Sequence, residues 1–379
     1  MMMPLPNNVP NSLPNNWTLE EILALSLVPR LKAVDLRAMV QRYDSLEALL
    51  QAYPPELRKA QVLTDTLFAA TTAVTLREAA QAQMELCERE NVRILPFWDA
   101  EYPAMLKEIY YPPSILYVRG TLEAADAAAI AIVGTRRCTD YGKMVTEQYA
   151  EYFAAAGVVV VSGLATGIDT FAHKAVIKSG GTTYAVIASG IDNINSGAAS
   201  HNAQEISRHG AILSEYPCGT PAQPAYFPRR NRIISGIAQG TLVVESGEKG
   251  GSLITAQFTL DQNRELFAVP GRIYSERSKG TNLLLQRSQA HLTLTPSDML
   301  QTLGLQRTSS SDAAKEEVMP EMSGVERGIY KELDGDPVHI EALSAKTGLS
   351  VQDLLVILLD LEFKGLVRQL AGKQFMRRA

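Results

Sequence analysis

A chain of 379 residues is too long for one ordinary core, so two or three domains are expected. Its 46% hydrophobic and 20% charged residues are those of a globular protein, with no apolar run long enough to span a bilayer and no membrane contact expected. A net charge of −5 weighs against a general polyanion binder, and three scattered cysteines with five dispersed histidines exclude a disulfide scaffold and metal-ligand spacing, which suits a reducing cytoplasm.

Residues 1–16 are polar and rich in Pro and Asn, with neither a basic start nor an apolar stretch, and are expected to be a disordered lead rather than a signal peptide. From 17 to 91 the pattern is helical. Thr18-Leu19-Glu20-Glu21 is a capping box, in which the Thr oxygen takes an orphan N–H and the Glu reaches back. Leu19, Ile22, Leu23, Leu25 and Leu27 give that helix an apolar side, and Pro29 is expected to stop it. A second start lies at Asp44-Ser45-Leu46-Glu47, with Leu46, Leu49 and Leu50 inward. The expected role of this module is packing.

Residues 92–303 alternate β-rich apolar runs with helical stretches. The predicted strands are Ile130–Val133, Val158–Val161, Tyr184–Ala188, Ala211–Leu213, Thr241–Glu245 and Leu266–Val269. Val and Ile dominate them with little polar alternation, as in strands buried on both faces of a parallel sheet. Helices over Tyr141–Ala156 and Ile168–Ser179 fill gaps between them, so the fold class is α/β, a Rossmann-like doubly wound and mostly parallel sheet. A polar linker covers 304–321. Residues 322–379 then read as a winged helix: a helix from His339, a turn at Gly348, a second helix capped by Ser350, and a hairpin over Gly365–Phe375. The polar positions of that second helix are Gln352, Asp353, Asp360 and Glu362, and carboxylates repel phosphates. A protein contact is therefore expected of it rather than major-groove reading.

In a doubly wound sheet, ligands sit beyond the carboxyl ends of the strands. Three glycine-bearing loops are expected there. They are Gly134-Thr135-Arg136-Arg137, then Ser162-Gly163-Leu164-Ala165-Thr166-Gly167, then Glu245 through Lys249-Gly250-Gly251-Ser252. Glycine lets backbone N–H groups approach an anion, and a following helix adds positive potential. Ser162, Thr166 and Ser252 add hydroxyl donors. None of the loops matches a dinucleotide or P-loop fingerprint. A fourth element, Phe227-Pro228-Arg229-Arg230-Asn231-Arg232, packs three arginines into four positions before turning apolar, and arginine's planar fork suits phosphate oxygens. The window 226–290 holds nine Lys/Arg against five Asp/Glu, a basic footprint on an acidic chain. Phe227, Tyr226 and Tyr274 are candidates to stack bases. No nucleophile elbow or Ser/Cys–His pairing is evident, so no catalytic residue is expected. His173, four positions after Asp169, is expected to make a structural hydrogen bond, and Glu245 to partner an arginine.

These runs, together with Gly251-Ser252-Leu253-Ile254-Thr255-Ala256 and Phe267-Ala268-Val269-Pro270-Gly271, resemble the signature of the DNA-processing protein A family, DprA or Smf, over 91–303. The end modules resemble its optional SAM-like or helix-hairpin-helix and winged-helix domains more loosely. The resemblance implies a non-enzymatic homodimer without cofactor. Such a protein binds and protects single-stranded DNA, displaces single-strand-binding protein and loads RecA recombinase during natural transformation. By motif match, Arg136, Arg229, Arg230 and Arg232 would line a phosphate pocket floored by Gly163–Gly167 and Gly251-Ser252, with Gly134, Arg137, Asn231 and Lys249 beside them. The chain departs from the family at Asn193–Asn202, where a Tyr-Pro is lost, and at Val28-Pro29-Arg30-Leu31, where a DNA-binding hairpin would need glycines. The alternative is a nucleotide-processing hydrolase of the lysine-decarboxylase-like Rossmann group, with Glu245 in catalysis. Against it, Lys249–Thr255 lacks that group's closing glutamate.

Overall fold

The computed structural model describes residues 13–14, 16–28, 31–52, 73–194, 198–305, 322–333, 337–370 and 372–377. Most of the expected lead and linker, and Pro29, lie outside them. The chain forms two compact units, 1–307 and 308–379.

The first unit begins with helices α1 (Leu19–Ser26), α2 (Ala33–Arg42), α3 (Leu46–Ala52) and α4 (Ala73–Arg89). The Thr18–Glu21 capping box forms, and Ser45 caps α3 through the N–H of Ala48 at 3.2 Å. Ile22, Leu23, Leu25, Leu36, Leu46 and Leu49 are buried in a core that continues into one face of the sheet. The remaining order is β1 (Arg93–Pro96), α5 (Ala104–Lys107), β2 (Ile115–Gly120), β3 (Ala129–Val133), α6 (Asp140–Ala155), β4 (Val159–Ser162), α7 (Ile168–Lys178), β5 (Thr183–Val186), α8 (Ala198–Arg208), β6 (Gly210–Ser214), α9 (Tyr226–Ile237), β7 (Gly240–Val243), α10 (Ser252–Asp261), β8 (Glu265–Ala268), α11 (Lys279–Gln286), β9 (His291–Leu292) and α12 (Pro296–Thr302).

The nine strands form one sheet in the order β1-β2-β6-β5-β4-β3-β7-β8-β9. From β6 to β9 all neighbours are parallel. The chain runs outward from β3 through β4 and β5 to β6, then returns to place β7 on the other side of β3. The crevice between β3 and β7 is thus the point where strand order reverses. Every residue of β3, β4, β5, β6 and β7 is buried, which is why these runs lack polar alternation. The antiparallel pair β1–β2, which the sequence pattern does not reveal, adds to the edge through β2–β6. Its first strand ends in proline and alternates only weakly.

The second unit holds α13 (Gly324–Glu332), β10 (Val338–His339), α14 (Ile340–Thr347), α15 (Val351–Phe363), β11 (Val367–Leu370) and β12 (Gln374–Arg377). Its sheet order is β10-β12-β11, a winged helix. Ser350 caps α15 from the Asp353 N–H, and Leu354, Leu358 and Leu361 pack on Ile329, Leu343 and Phe375. The opposite face of α15 leaves Leu355, Val356, Leu359 and Phe363 exposed. Among the described residues no single helix is long and apolar enough to cross a membrane.

Candidate nucleic-acid interface

The three glycine-bearing loops follow β4, β3 and β7, which are adjacent parallel strands, so all three lie together at the carboxyl end of the sheet. The loop after β3 closes on α6, whose N-cap Thr139 accepts the Gly142 N–H at 3.1 Å. It is bound to its neighbour across the crevice. The Thr135 N–H donates to the Glu245 carbonyl at 2.9 Å, and the Glu245 carboxylate accepts from Thr139. Glu245 therefore takes a backbone and a hydroxyl donor of the first loop, not the arginine expected of it. The reason is its place at the end of β7, directly beside the β3 loop.

The second loop packs equally tightly on the first. Gly167, at φ 85° and ψ −134°, opens α7 in a conformation that side chains disfavour. A Cβ there would collide with the Thr135 carbonyl oxygen. Gly163 has ions on its inner side: a Cβ would lie 2.5 Å from Asp169 Oδ2 and 2.6 Å from Arg230 Nη1. Its carbonyl accepts from His173 Nε2 at 2.7 Å, while Nδ1 lies 2.7 Å from the Thr183 hydroxyl. His173 thus makes the structural bonds expected of it, and a neutral ring protonated on Nε2 meets the Gly163 carbonyl. Burial pushes its pKa down to about 4, with the nearby Arg230 charge adding to the effect.

The arginine turn opens α9, and helical phase sends its members different ways. Arg230 points inward and is 7% exposed, donating to the Val186 carbonyl, while its Nε bonds Asn231 Oδ1 at 3.1 Å. Burial pushes the Asp169 carboxyl up and the Arg230 guanidinium down, each against the attraction of the other. Arg229 faces solvent. Arg232 forms a two-pronged pair with Glu215, at 2.9 and 2.6 Å. Arg136 is exposed and lies over the Phe227 ring, 5.9 Å from its centroid, close enough for its charge to act on both Asp169 and Arg230.

Gly134, Arg136, Gly163, Gly167, Arg230 and Asn231 therefore come together, with Arg229 on the adjoining turn. Arg137, Thr166, Lys249 and Gly251 are exposed on the same three loops. The hydroxyls are more constrained. Ser162 is buried and donates to the Ile132 carbonyl at 2.6 Å, and Ser252 donates to Ser246 at 2.8 Å. Two parts of this arrangement escape sequence reasoning, the Asp169 charge near Arg230 and the Thr139–Glu245 tie. The N-cap signal at Thr139 is readable, but its distant acceptor is not.

Fold and loops define a Rossmann-like α/β protein with anion-ready loops at its switch point, joined to a winged-helix unit. The chain belongs to the DNA recombination-mediator protein A family, whose model matches residues 93–304, and the DprA winged helix domain matches 313–373. It is 42% identical over 199 residues to the DNA processing protein DprA of Bacillus subtilis, covering 52% of this chain and 67% of that one. The X-ray structure of DprA from Streptococcus pneumoniae superposes with a TM-score of 0.59 at 29% identity, over 74% of this chain and 95% of that one. DNA processing protein A from Helicobacter pylori, solved for its single-stranded DNA binding mode, gives a TM-score of 0.51 at 30% identity, over 56% of this chain and 95% of that one.

Proposed function

We propose that this protein binds single-stranded DNA along the carboxyl-end face of its sheet and acts as a recombination mediator. The observation that carries the reading is the exposure of Arg136 on the loop after β3 and of Arg229 on the α9 turn, whose Phe227 ring lies under Arg136, in a chain whose overall charge is −5. Exposed guanidinium groups beside backbone N–H groups suit successive phosphates of a flexible strand. Arg137, Thr166 and Lys249 extend the same rim. Arg230, held by the Val186 carbonyl and Asn231, sets the floor. The Helicobacter pylori relative, described by its single-stranded DNA binding mode, supports the same ligand here.

On this reading the protein works in the cytoplasm as a homodimer. It shields incoming DNA, displaces single-strand-binding protein and loads RecA recombinase in natural transformation. The winged helix serves a protein contact, because α15 carries Asp353, Asp360 and Glu362 and no Lys or Arg. The hydrolase alternative is disfavoured, since it needs Glu245 as a working carboxylate. That group is 2% exposed and holds both donors of Thr139.

The test is fluorescence anisotropy with labelled single-stranded and duplex oligonucleotides across a salt series. Single-strand preference with affinity falling steeply as salt rises is expected. Absence of binding at low salt refutes the reading and turns attention to nucleotide hydrolysis.

A further inference from the structure

The segment Tyr110-Tyr111-Pro112-Pro113 lies outside the three glycine-bearing loops, yet it projects from the same end of the sheet. Strand β2 is antiparallel to β6, and Tyr117 pairs with Ser214, the last residue of β6. The residues before Ile115 therefore extend beyond the carboxyl end of β6, where the chain also leads toward the arginine turn of α9.

This segment is an unusual loop. Three consecutive carbonyls are held by donors from three separate parts of the chain: Tyr111 by Arg232 Nε at 3.1 Å, Pro112 by Arg37 Nη1 at 2.7 Å, and Pro113 by the Tyr102 hydroxyl at 2.8 Å. Ser114 adds a hydroxyl bond to the Ala33 carbonyl at 3.0 Å. The backbone is fixed, but the two rings it carries face water, Tyr110 at 73% and Tyr111 at 51% exposure. They meet edge to face, with centroids 4.3 Å apart and planes at 78°. That contact covers one face of one ring only, and the exposure of both leaves the rest of their surface to water.

We propose that Tyr110 and Tyr111 form a stacking platform for nucleobases of the single strand whose phosphates run along the β3, β4 and β7 loops. This inference rests on the single-strand reading above and adds a second element of recognition to it. Three features carry it. The platform adjoins the phosphate face through Arg232, which bonds both the Tyr111 and the Arg229 carbonyls. Its backbone is ordered in advance, so little entropy is lost when a base settles on it. Base faces are apolar and flat, and an exposed aromatic ring beside a cationic groove is the surface that takes them without regard to sequence. The Arg37 bond also makes α2 a support of this surface, giving the N-terminal helices a part in binding without touching DNA.

The test compares an oligothymidylate with an abasic oligomer of the same length and backbone charge, both labelled, against the full chain. Wild type is expected to favour the oligothymidylate. The Tyr110→Ala/Tyr111→Ala variant should lose about tenfold in affinity for it and nothing for the abasic oligomer. The Tyr110→Phe/Tyr111→Phe variant should keep wild-type affinity for both, since the ring and not the hydroxyl does the stacking. Equal affinity of wild type and the alanine variant for oligothymidylate overturns the platform while leaving phosphate binding intact. Equal losses on both oligomers do so too. Sedimentation of the same variant tests a rival occupant: loss of self-association with unchanged base preference assigns the rings to a contact between copies and refutes the inference. If wild type binds neither oligomer, the single-strand reading itself fails and takes the platform with it.

Discussion

The carboxylate of Glu245 accepts both the backbone N–H and the hydroxyl of Thr139, at 2.8 and 2.5 Å, across a separation of 106 residues. One side chain therefore ties the end of β7 to the N-cap of α6 and spans the crevice where the strand order reverses. The loop carrying Arg136 is held from both ends, because Thr135 also donates to the Glu245 carbonyl.

Replacing Glu245 with Gln removes the charge that strengthens these bonds. A loss of about 2 kcal/mol in folding stability is expected, as for hydrogen bonds to a buried charged group. Urea denaturation measures it. Amide exchange over 134–139 should quicken, and single-strand affinity should fall because Arg136 is no longer held in place.

The arginines around the α9 turn should behave differently from one another. Arg136→Ala and Arg229→Ala should each weaken binding uniformly and reduce the salt slope by about 0.7 for each phosphate no longer neutralised. Arg232→Ala should leave the slope near that of wild type and act on stability, since it strands Glu215 with its partner gone. Anisotropy at four or more salt concentrations, with thermal melts alongside, separates the two classes. A flattened slope for Arg232→Ala would show that it meets DNA directly.

Gly163 admits no side chain. Its Cβ position lies within 2.6 Å of both Asp169 and Arg230, and these are packed ions with little room to move. Gly163→Ala should cost about 1–3 kcal/mol by overpacking. It should also reduce single-strand binding more than its stability loss explains, because Arg230 and the loop shift together. Melting temperature and anisotropy on the same preparation check this.

His173 gives a pH signature. Its folded pKa is about 4, below the ordinary value near 6.5, so the unfolded chain takes up the proton first as pH falls. Its contribution is present in full above about pH 6.5, declines through the interval and levels off below about pH 4. The whole effect is about 3 kcal/mol. His173→Gln should remove this component, so the stability difference between wild type and variant should change across pH 4 to 6.5 and stay flat above it. Urea midpoints at a series of pH values give the comparison.

A chain ended after Arg307 should retain single-strand binding. The first unit closes on itself, with Leu305 packed against the core that holds Met299 and Leu300. Near-total loss of affinity in a folded truncation would place the winged helix in the DNA site.

Much of this was legible in the sequence because the signals are local. The central strands are continuous runs of Val, Ile and Ala, and such runs announce burial on both faces without knowledge of their neighbours. Capping residues Thr18, Ser45 and Ser350 mark helix starts through bonds only three residues long. Glycines at 134, 163 and 167 marked the loops after the strands. The roles of individual residues were not legible in this way. Arg229, Arg230 and Arg232 are alike in sequence, and only the phase of α9 and the positions of Asp169 and Glu215 make one exposed, one buried and one paired. The thiols of Cys87 and Cys218, scattered in sequence, lie 3.7 Å apart in the fold. Chain-local pattern determined which segments become strands, helices and turns, because those choices depend on neighbours a few residues away. The tertiary structure alone decided which side chains meet, since contacts across 100 residues depend on strand order and helix rotation, which no short window of sequence contains.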